Sequence, residues 1–227
     1  MAGTNKKKRL SFSDPVIILN KPQLAENIGM VARTMVNFGL KNLRLVNPKV
    51  NWLSKKSFSA SAGAFNIIKK YTSVYNNLSS AIEDLNFLCA TTIRKRDLDS
   101  RYCSPKAAVK NIKNSYNKKK IGFLFGGEKA GLNNNDISQA NLLITIPTNE
   151  AFGSLNLAMA VNIIGYEWYI NQKGKSQKTI CRNSASKKEI NFFKERLIRE
   201  LYHTNFFESL PIDAKLVINV KNIISKI

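Results

Sequence analysis

Residues 16–38 read VIILNKPQLAENIGMVARTMVNF. The stretch opens as an apolar run, VIIL at 16–19, with the signature of a strand. It continues, over 23–38, with Leu24, Ile28, Val31, Met35 and Phe38 on one stripe at helical spacing. The same strand signal returns in LRLV at 43–46, NFLCAT at 86–91, GFLFG at 122–126 and LLITI at 142–146. Helical patterns fall between these runs, near 54–62, 76–85, 104–114 and 133–140. Strands that alternate with helices need crossover connections. The sequence therefore predicts an α/β fold with a mostly parallel sheet and helices on both faces.

Composition narrows the possible roles. The 227 residues suffice for one large domain with an appendage, and 44% of them are hydrophobic, enough for a packed core. A formal net charge of +21, from 36 basic and 15 acidic residues, favours a polyanionic partner, nucleic acid before an anionic membrane. Part of that excess follows a general richness in Lys, Asn and Ile. Cys89, Cys103 and Cys181 stand singly, which suggests no metal site and no disulfide framework and fits reduced thiols in the cytoplasm. The N-terminal MAGTNKKKRLSFSD lacks the apolar segment of a secretory signal. The longest apolar stretch, 154–170, is interrupted by Asn162 and Glu167 and does not read as a membrane span. The one histidine, His203, lies in a helical pattern far from other candidate groups, which disfavours histidine-based hydrolysis.

Residues 154–170 read as a helix apolar nearly all round, buried in the core or against a second copy of the chain. Ser154 suits its N-cap. Asn156 then falls inside the helix, where its amide needs partners. Beyond Ile170 the composition shifts to a basic linker, 171–187, followed by an amphipathic helix over 188–204 with Ile190, Phe193, Leu197 and Leu201 as its stripe. Pro211 interrupts the pattern and a last helix is expected at 213–226. The predicted organisation is a basic tail (1–12), a main domain (13–170), the linker, and a helical extension (188–227).

Three segments could carry chemistry. In LAENIGMVAR (24–33), Asn27, Gly29 and Arg33 lie close together, and glycine inside a helix suggests close approach by a backbone or a ligand. In FLFGGEKAGL (123–132), a strand runs into Gly126-Gly127, then Glu128 and Gly131. Glycines in that place leave backbone N–H groups free for a ligand. Neither a Walker A loop nor GxGxxG is present, which argues against nucleoside triphosphates and dinucleotides. In ITIPTNEAFGSLNLAMAV (144–161), a strand ends at Pro147 and a loop leads to Ser154 and Asn156.

In this order and spacing the three segments resemble the motifs of the SPOUT methyltransferases. The branch is that of the RNA 2′-O-ribose methylases (the TrmH/SpoU class), and the wording is nearest to TrmJ-type enzymes. NIGMVAR matches the first motif, FGGEKAGL the second and IPTNEAFGSLNLAMAV the third. The resemblance runs from about Pro15 to Tyr169 and includes SAGAFNIIKK (61–70) and ATTIRKRD (90–97).

The resemblance implies a C-terminal trefoil knot, a homodimer with its site at the interface, and S-adenosylmethionine as cofactor. Carried over by position, the cofactor pocket comprises Thr91, Thr92, Ile93, Gly126, Ile146, Gly153, Ser154 and Leu155. The catalytic set comprises Arg33, Asn27, Glu128, Ser154 and Asn156, with no metal. A guanidinium holds its proton at neutral pH, so Arg33 is expected to stabilise a developing alkoxide and grip the adjacent phosphate rather than act as a base. The implied substrate is tRNA, at a cytidine or uridine at position 32 of the anticodon loop, with ribosomal RNA as the alternative. A basic RNA-binding protein without catalysis is the competing class, disfavoured by the intact catalytic set. Where TrmJ-type chains often carry Arg, this one has Gly127, with Lys129 close by as a substitute. The extension resembles that of TrmJ-type enzymes, cut shorter at Ile227, which bears on the substrate more than on the chemistry. Basic runs at Lys6–Arg9, Arg94–Arg96, Lys118–Lys120 and 173–188 are candidate phosphate contacts, and no base-stacking platform is evident among them.

Overall fold

A computed structural model describes residues 10–13, 15–93, 102–115, 119–171 and 185–204. In chain order the elements are β1 (Val16–Asn20), α1 (Ala25–Asn37), β2 (Leu43–Val46), α2 (Lys55–Ala60), α3 (Phe65–Ile68), β3 (Thr72–Tyr75), α4 (Leu78–Ile82), β4 (Phe87–Thr91), β5 (Tyr102–Cys103), α5 (Pro105–Ser115), β6 (Ile121–Gly126), α6 (Asn134–Ile137), β7 (Leu142–Ile144), α7 (Leu157–Ile170) and α8 (Lys187–His203). The strands form one seven-stranded sheet in the order β3-β2-β1-β6-β4-β7-β5. Every strand pairing in it is parallel.

The apolar runs of the central strands follow from burial on two sides. Ile17 and Leu19 of β1 meet Ile28, Val31 and Met35 of α1 in one core, with Phe123 of β6 and Val161 and Ile164 of α7. Val16 and Ile18 face the opposite core, with Leu78, Ala81 and Ile82 of α4 and Ile137 of α6. On that second face Arg44 of β2 grips Asp84 through two parallel hydrogen bonds, at 2.6 and 2.9 Å, and donates also to the Ala81 carbonyl. The Arg44 hydrogen bonds hold the Asp84 carboxyl down at about 2.

α1 lies tightly against α2. A Cβ on Gly29 would run into the Ser57 carbonyl, so the glycine marks close approach by another backbone rather than by a ligand.

Three sequence expectations change at the C-terminal side. The apolar helix begins at Leu157, not at residue 154, and its N-cap is Asn156, whose side chain accepts from the Ala158 N–H at 2.8 Å. α7 is also one-sided in its burial. Val161, Ile164 and Trp168 are covered, whereas Met159, Tyr166, Tyr169 and Ile170 are exposed. In α8, Ile190, Leu197 and Leu201 are half-buried as predicted, but Phe193 is exposed and Lys187 and Lys194 are buried. The cause is the way the helix starts. Its first turn pairs with a loop, Lys187 N–H to the Leu85 carbonyl at 2.7 Å and Lys188 N–H to the Glu83 carbonyl at 2.9 Å. That pairing fixes the rotation of the helix and drives the Lys187 stem inward, where its amine donates to the Gln139 carbonyl at 2.8 Å. The helix expected at 213–226, the Lys6–Arg9 and Arg94–Arg96 runs and most of the linker lie outside the described residues.

Two predictions follow from this packing. Gly29→Ala should destabilise the fold by about 1–3 kcal/mol despite alanine's better helix propensity, read as a lower Tm. The second concerns Lys187. Burial pushes its amine down to about 7, with further lowering by Lys194 and a small opposing effect from the Cys89 thiol. Below about pH 7 both folded and unfolded states hold the proton and the full penalty is present. Above it the folded state releases the proton first, so stability should rise with pH by up to about 1.4 kcal/mol per unit toward the ordinary lysine range. Lys187→Met should flatten that rise in denaturant titrations run across the interval.

Candidate active site

The carboxyl ends of β4, β6 and β7 open into one cavity of about 400 Å³. Ligand pockets in parallel sheets form at this end of the strands. All eight residues expected to hold a cofactor, Thr91, Thr92, Ile93, Gly126, Ile146, Gly153, Ser154 and Leu155, line it. So do Phe125, Leu132, Ile144, Glu150, Leu157 and Ala160, which in sequence read as strand ends, loop and helix start.

Glycine is required at the bottom of this cavity. The 126–131 loop turns back on itself, with the Gly131 N–H donating to the Gly127 carbonyl at 2.9 Å and Gly131 in the left-handed region at φ 66°. A Cβ on Gly126 would run into the Gly131 and Leu132 backbone. The two glycines thus let β6 run straight into a tight loop that forms one wall.

Glu128, on the same loop, also lines the cavity, but its oxygens are committed elsewhere. Oε2 accepts the Gln23 N–H at 2.8 Å; Oε1 accepts the Leu24 N–H at 3.2 Å and Asn27 Nδ2 at 2.8 Å. α1 has no side-chain cap of its own at Leu24, and the carboxylate from the loop after the neighbouring strand β6 fills that place. Asn27, 2% exposed, passes the chain of bonds on: its Oδ1 accepts Asn156 Nδ2 at 2.9 Å. Asn156 then caps α7. Asn27, Glu128 and Asn156 therefore form one network that joins the starts of α1 and α7 to the loop after β6. Its partners explain why an asparagine stands at position 156.

Two members of the expected catalytic set lie apart from this network. Ser154 is exposed, lines the cavity, and makes no hydrogen bond with a described residue. Arg33 is exposed on α1, does not line this cavity, and has no polar partner among the described residues. Lys129 lines the cavity and is exposed, two residues after Gly127.

The donor set suits an adenosyl ligand. Phe125, Leu132, Ile144, Ile146 and Leu155 give the lining apolar surface that a purine can pack against, and Thr91, Thr92 and Ser154 add hydroxyl-bearing side chains.

Comparison with known proteins agrees with this geometry. Residues 14–166 match the SpoU rRNA methylase family. The tRNA (cytidine-2′-O-)-methyltransferase TrmJ of Methanocaldococcus jannaschii is 34% identical over 187 residues, covering 81% of this chain and 78% of its own length. The tRNA (cytidine/uridine-2′-O-)-methyltransferase TrmJ of Sodalis glossinidius is 37% identical over 152 residues, covering 66% of this chain and 58% of that protein. The crystal structure of TrmJ from Z. mobilis superposes with a TM-score of 0.82 at 34% identity, over 94% of this chain and 91% of that one.

The network can be dissected at Asn156. Asn156→Ala should cost about 2 kcal/mol, roughly 1 for the lost cap and roughly 1 for the buried Asn27 oxygen left without a donor. Asn156→Asp keeps the cap acceptor and removes the donor, so only the second part should remain in urea denaturation.

Proposed function

The chain belongs to the SpoU rRNA methylase family, and we propose that it methylates the ribose 2′-hydroxyl of a tRNA pyrimidine with S-adenosylmethionine as the methyl donor. One observation carries the reading: residues from separate parts of the chain, 91–93, 125–132 and 144–160, converge on a single cavity of adenosyl size. The relatives that match over most of their length, and the Z. mobilis structure, support tRNA over ribosomal RNA. The resemblance favours position 32 of the anticodon loop.

Bound S-adenosylmethionine supplies an activated methyl group on a sulfonium leaving group. The protein's task is then to hold the hydroxyl in line and stabilise the alkoxide that develops. We assign that stabilisation to Arg33. Its guanidinium keeps five donors and no acceptor, which suits an alkoxide and a neighbouring phosphate. Thr91, Thr92, Ile93, Gly126, Ile146, Gly153, Ser154 and Leu155 hold the cofactor in this reading. Glu128, Asn27 and Asn156 act by fixing the two helix starts and the loop that border it.

Arg33 is exposed and does not line its own protomer's cavity, and this supports a homodimer in which it serves the cavity of the partner. The exposed apolar face of α7 supports the same assembly. Met159, Tyr166 and Ile170 lie on one side of the helix, and Phe38, the C-cap of α1, packs edge-on to Tyr166 at 6.1 Å and beside Tyr169 at 6.2 Å. A second copy is the natural cover for such a patch. The trefoil knot and a tRNA-gripping role for the helical extension belong to the same proposal, as does a cytoplasmic setting, with which the free Cys89 and Cys103 agree.

Labelled S-adenosylmethionine offered with total tRNA and with ribosomal RNA tests the function. Label should pass to tRNA, and Arg33→Ala should reduce kcat by at least about 100-fold with cofactor affinity retained. Label on ribosomal RNA alone would move the substrate, and absence of cofactor binding would defeat the enzyme reading.

A further inference from the structure

Phe152 is the most exposed of the large apolar side chains among the described residues, at 82%. Its position is built rather than loose. It ends a short 3₁₀ turn, Glu150–Phe152, whose cap Asn149 accepts the Ala151 N–H on its side chain at 2.9 Å and the Phe152 N–H on its carbonyl at 3.0 Å. On the far side the Thr148 hydroxyl donates to the Gly153 carbonyl at 3.2 Å. Glu150 before it and Gly153 and Ser154 after it line the cavity, while Phe152 does not. The ring is thus held at the lip of the cavity and directed outward.

We propose that Phe152 is a positioning residue for the substrate, stacking against the nucleobase carried by the methylated ribose. The inference rests on the RNA-methyltransferase reading above. A ribose whose 2′-hydroxyl enters the cavity carries its base on the adjacent carbon, so the base must lie just outside, over the lip. An exposed aromatic ring there offers a flat apolar face, and every base has a π-face to match it. The chain's charge of +21 brings polyanions to this surface without choosing which nucleotide sits at the cavity. Phe152 has no ring neighbour among the described aromatic pairs. Ile93, half-exposed and close to Gly153, extends the same rim.

The test uses the full chain with tRNA as probe. Phe152→Ala should raise the KM for tRNA roughly 5- to 100-fold, with cofactor affinity by calorimetry and the sedimentation coefficient unchanged. Phe152→Tyr and Phe152→Trp should restore the KM, and Phe152→Leu should not. In Phe152→Trp, the added indole emission should be quenched by tRNA relative to the wild type, whether or not methyl transfer occurs. That readout separates failure of the stacking from failure of the activity: a wild type inert on tRNA defeats the function reading, and absent quenching defeats the stacking. An unchanged KM in Phe152→Ala, a leucine variant equal to tryptophan, a loss of cofactor affinity, or a shift in sedimentation would each overturn the proposal.

Discussion

The carboxylate of Glu128 holds together parts of the chain about a hundred residues apart. It accepts two backbone N–H groups at the start of α1 and the amide of Asn27, and Asn27 in turn takes the amide of the residue that caps α7. Helix starts carry orphan donors, and a buried start without partners is expensive. Here one side chain from the loop after β6 meets that need for α1, and its partner's partner meets it for α7. The cavity walls consist of this loop, the approach to α7 and the end of β4. Their mutual positions are therefore fixed by polar bonds with defined geometry as well as by the apolar core, which tolerates small shifts more readily.

Backbone proximity is the second constraint. Gly29 against Ser57, Gly126 against Gly131 and Gly127 against the Lys21 carbonyl are three places where a side-chain carbon would overlap main chain. All three lie in the two glycine-bearing motifs, and two of them shape the loop that carries Glu128. Lys21 itself sits in the left-handed region at φ 54° and donates its N–H to the Val46 carbonyl at 2.8 Å, so β1 leaves the sheet along a tightly held path.

The central fold was readable because burial on two faces leaves a strong mark. The runs at 16–19, 43–46, 86–91 and 122–126 each became a strand. What escaped has weak burial. β3, with the text TSVY, is an edge strand with its residues half or fully exposed, and β5 has two residues. The convergence of 91–93, 126, 146 and 153–155 on one cavity was legible through the motifs that contain them, and so was the grouping of Asn27, Glu128 and Asn156. The role of Asn156 was not. A cap is chosen by where the backbone leaves the helix, and Ser154 and Asn156 are equally good in isolation. The burial of Lys187 and Lys194 was illegible for a related reason. The stripe in α8 names the apolar side, but the rotation is set by two backbone bonds to Glu83 and Leu85, which no side-chain pattern records.

Those two bonds lie just before β4, and Gln139, which receives the Lys187 amine, lies just before β7. α8 is thus anchored at the amino ends of the very strands whose carboxyl ends form the cavity. The length of a strand, on the order of 15 Å, separates the two. No residue of α8 lines the cavity, nor does Glu83, Leu85 or Gln139, which anchor it. Such an arrangement makes the extension a unit that evolution can lengthen, trim or exchange while the chemistry at the other pole is conserved.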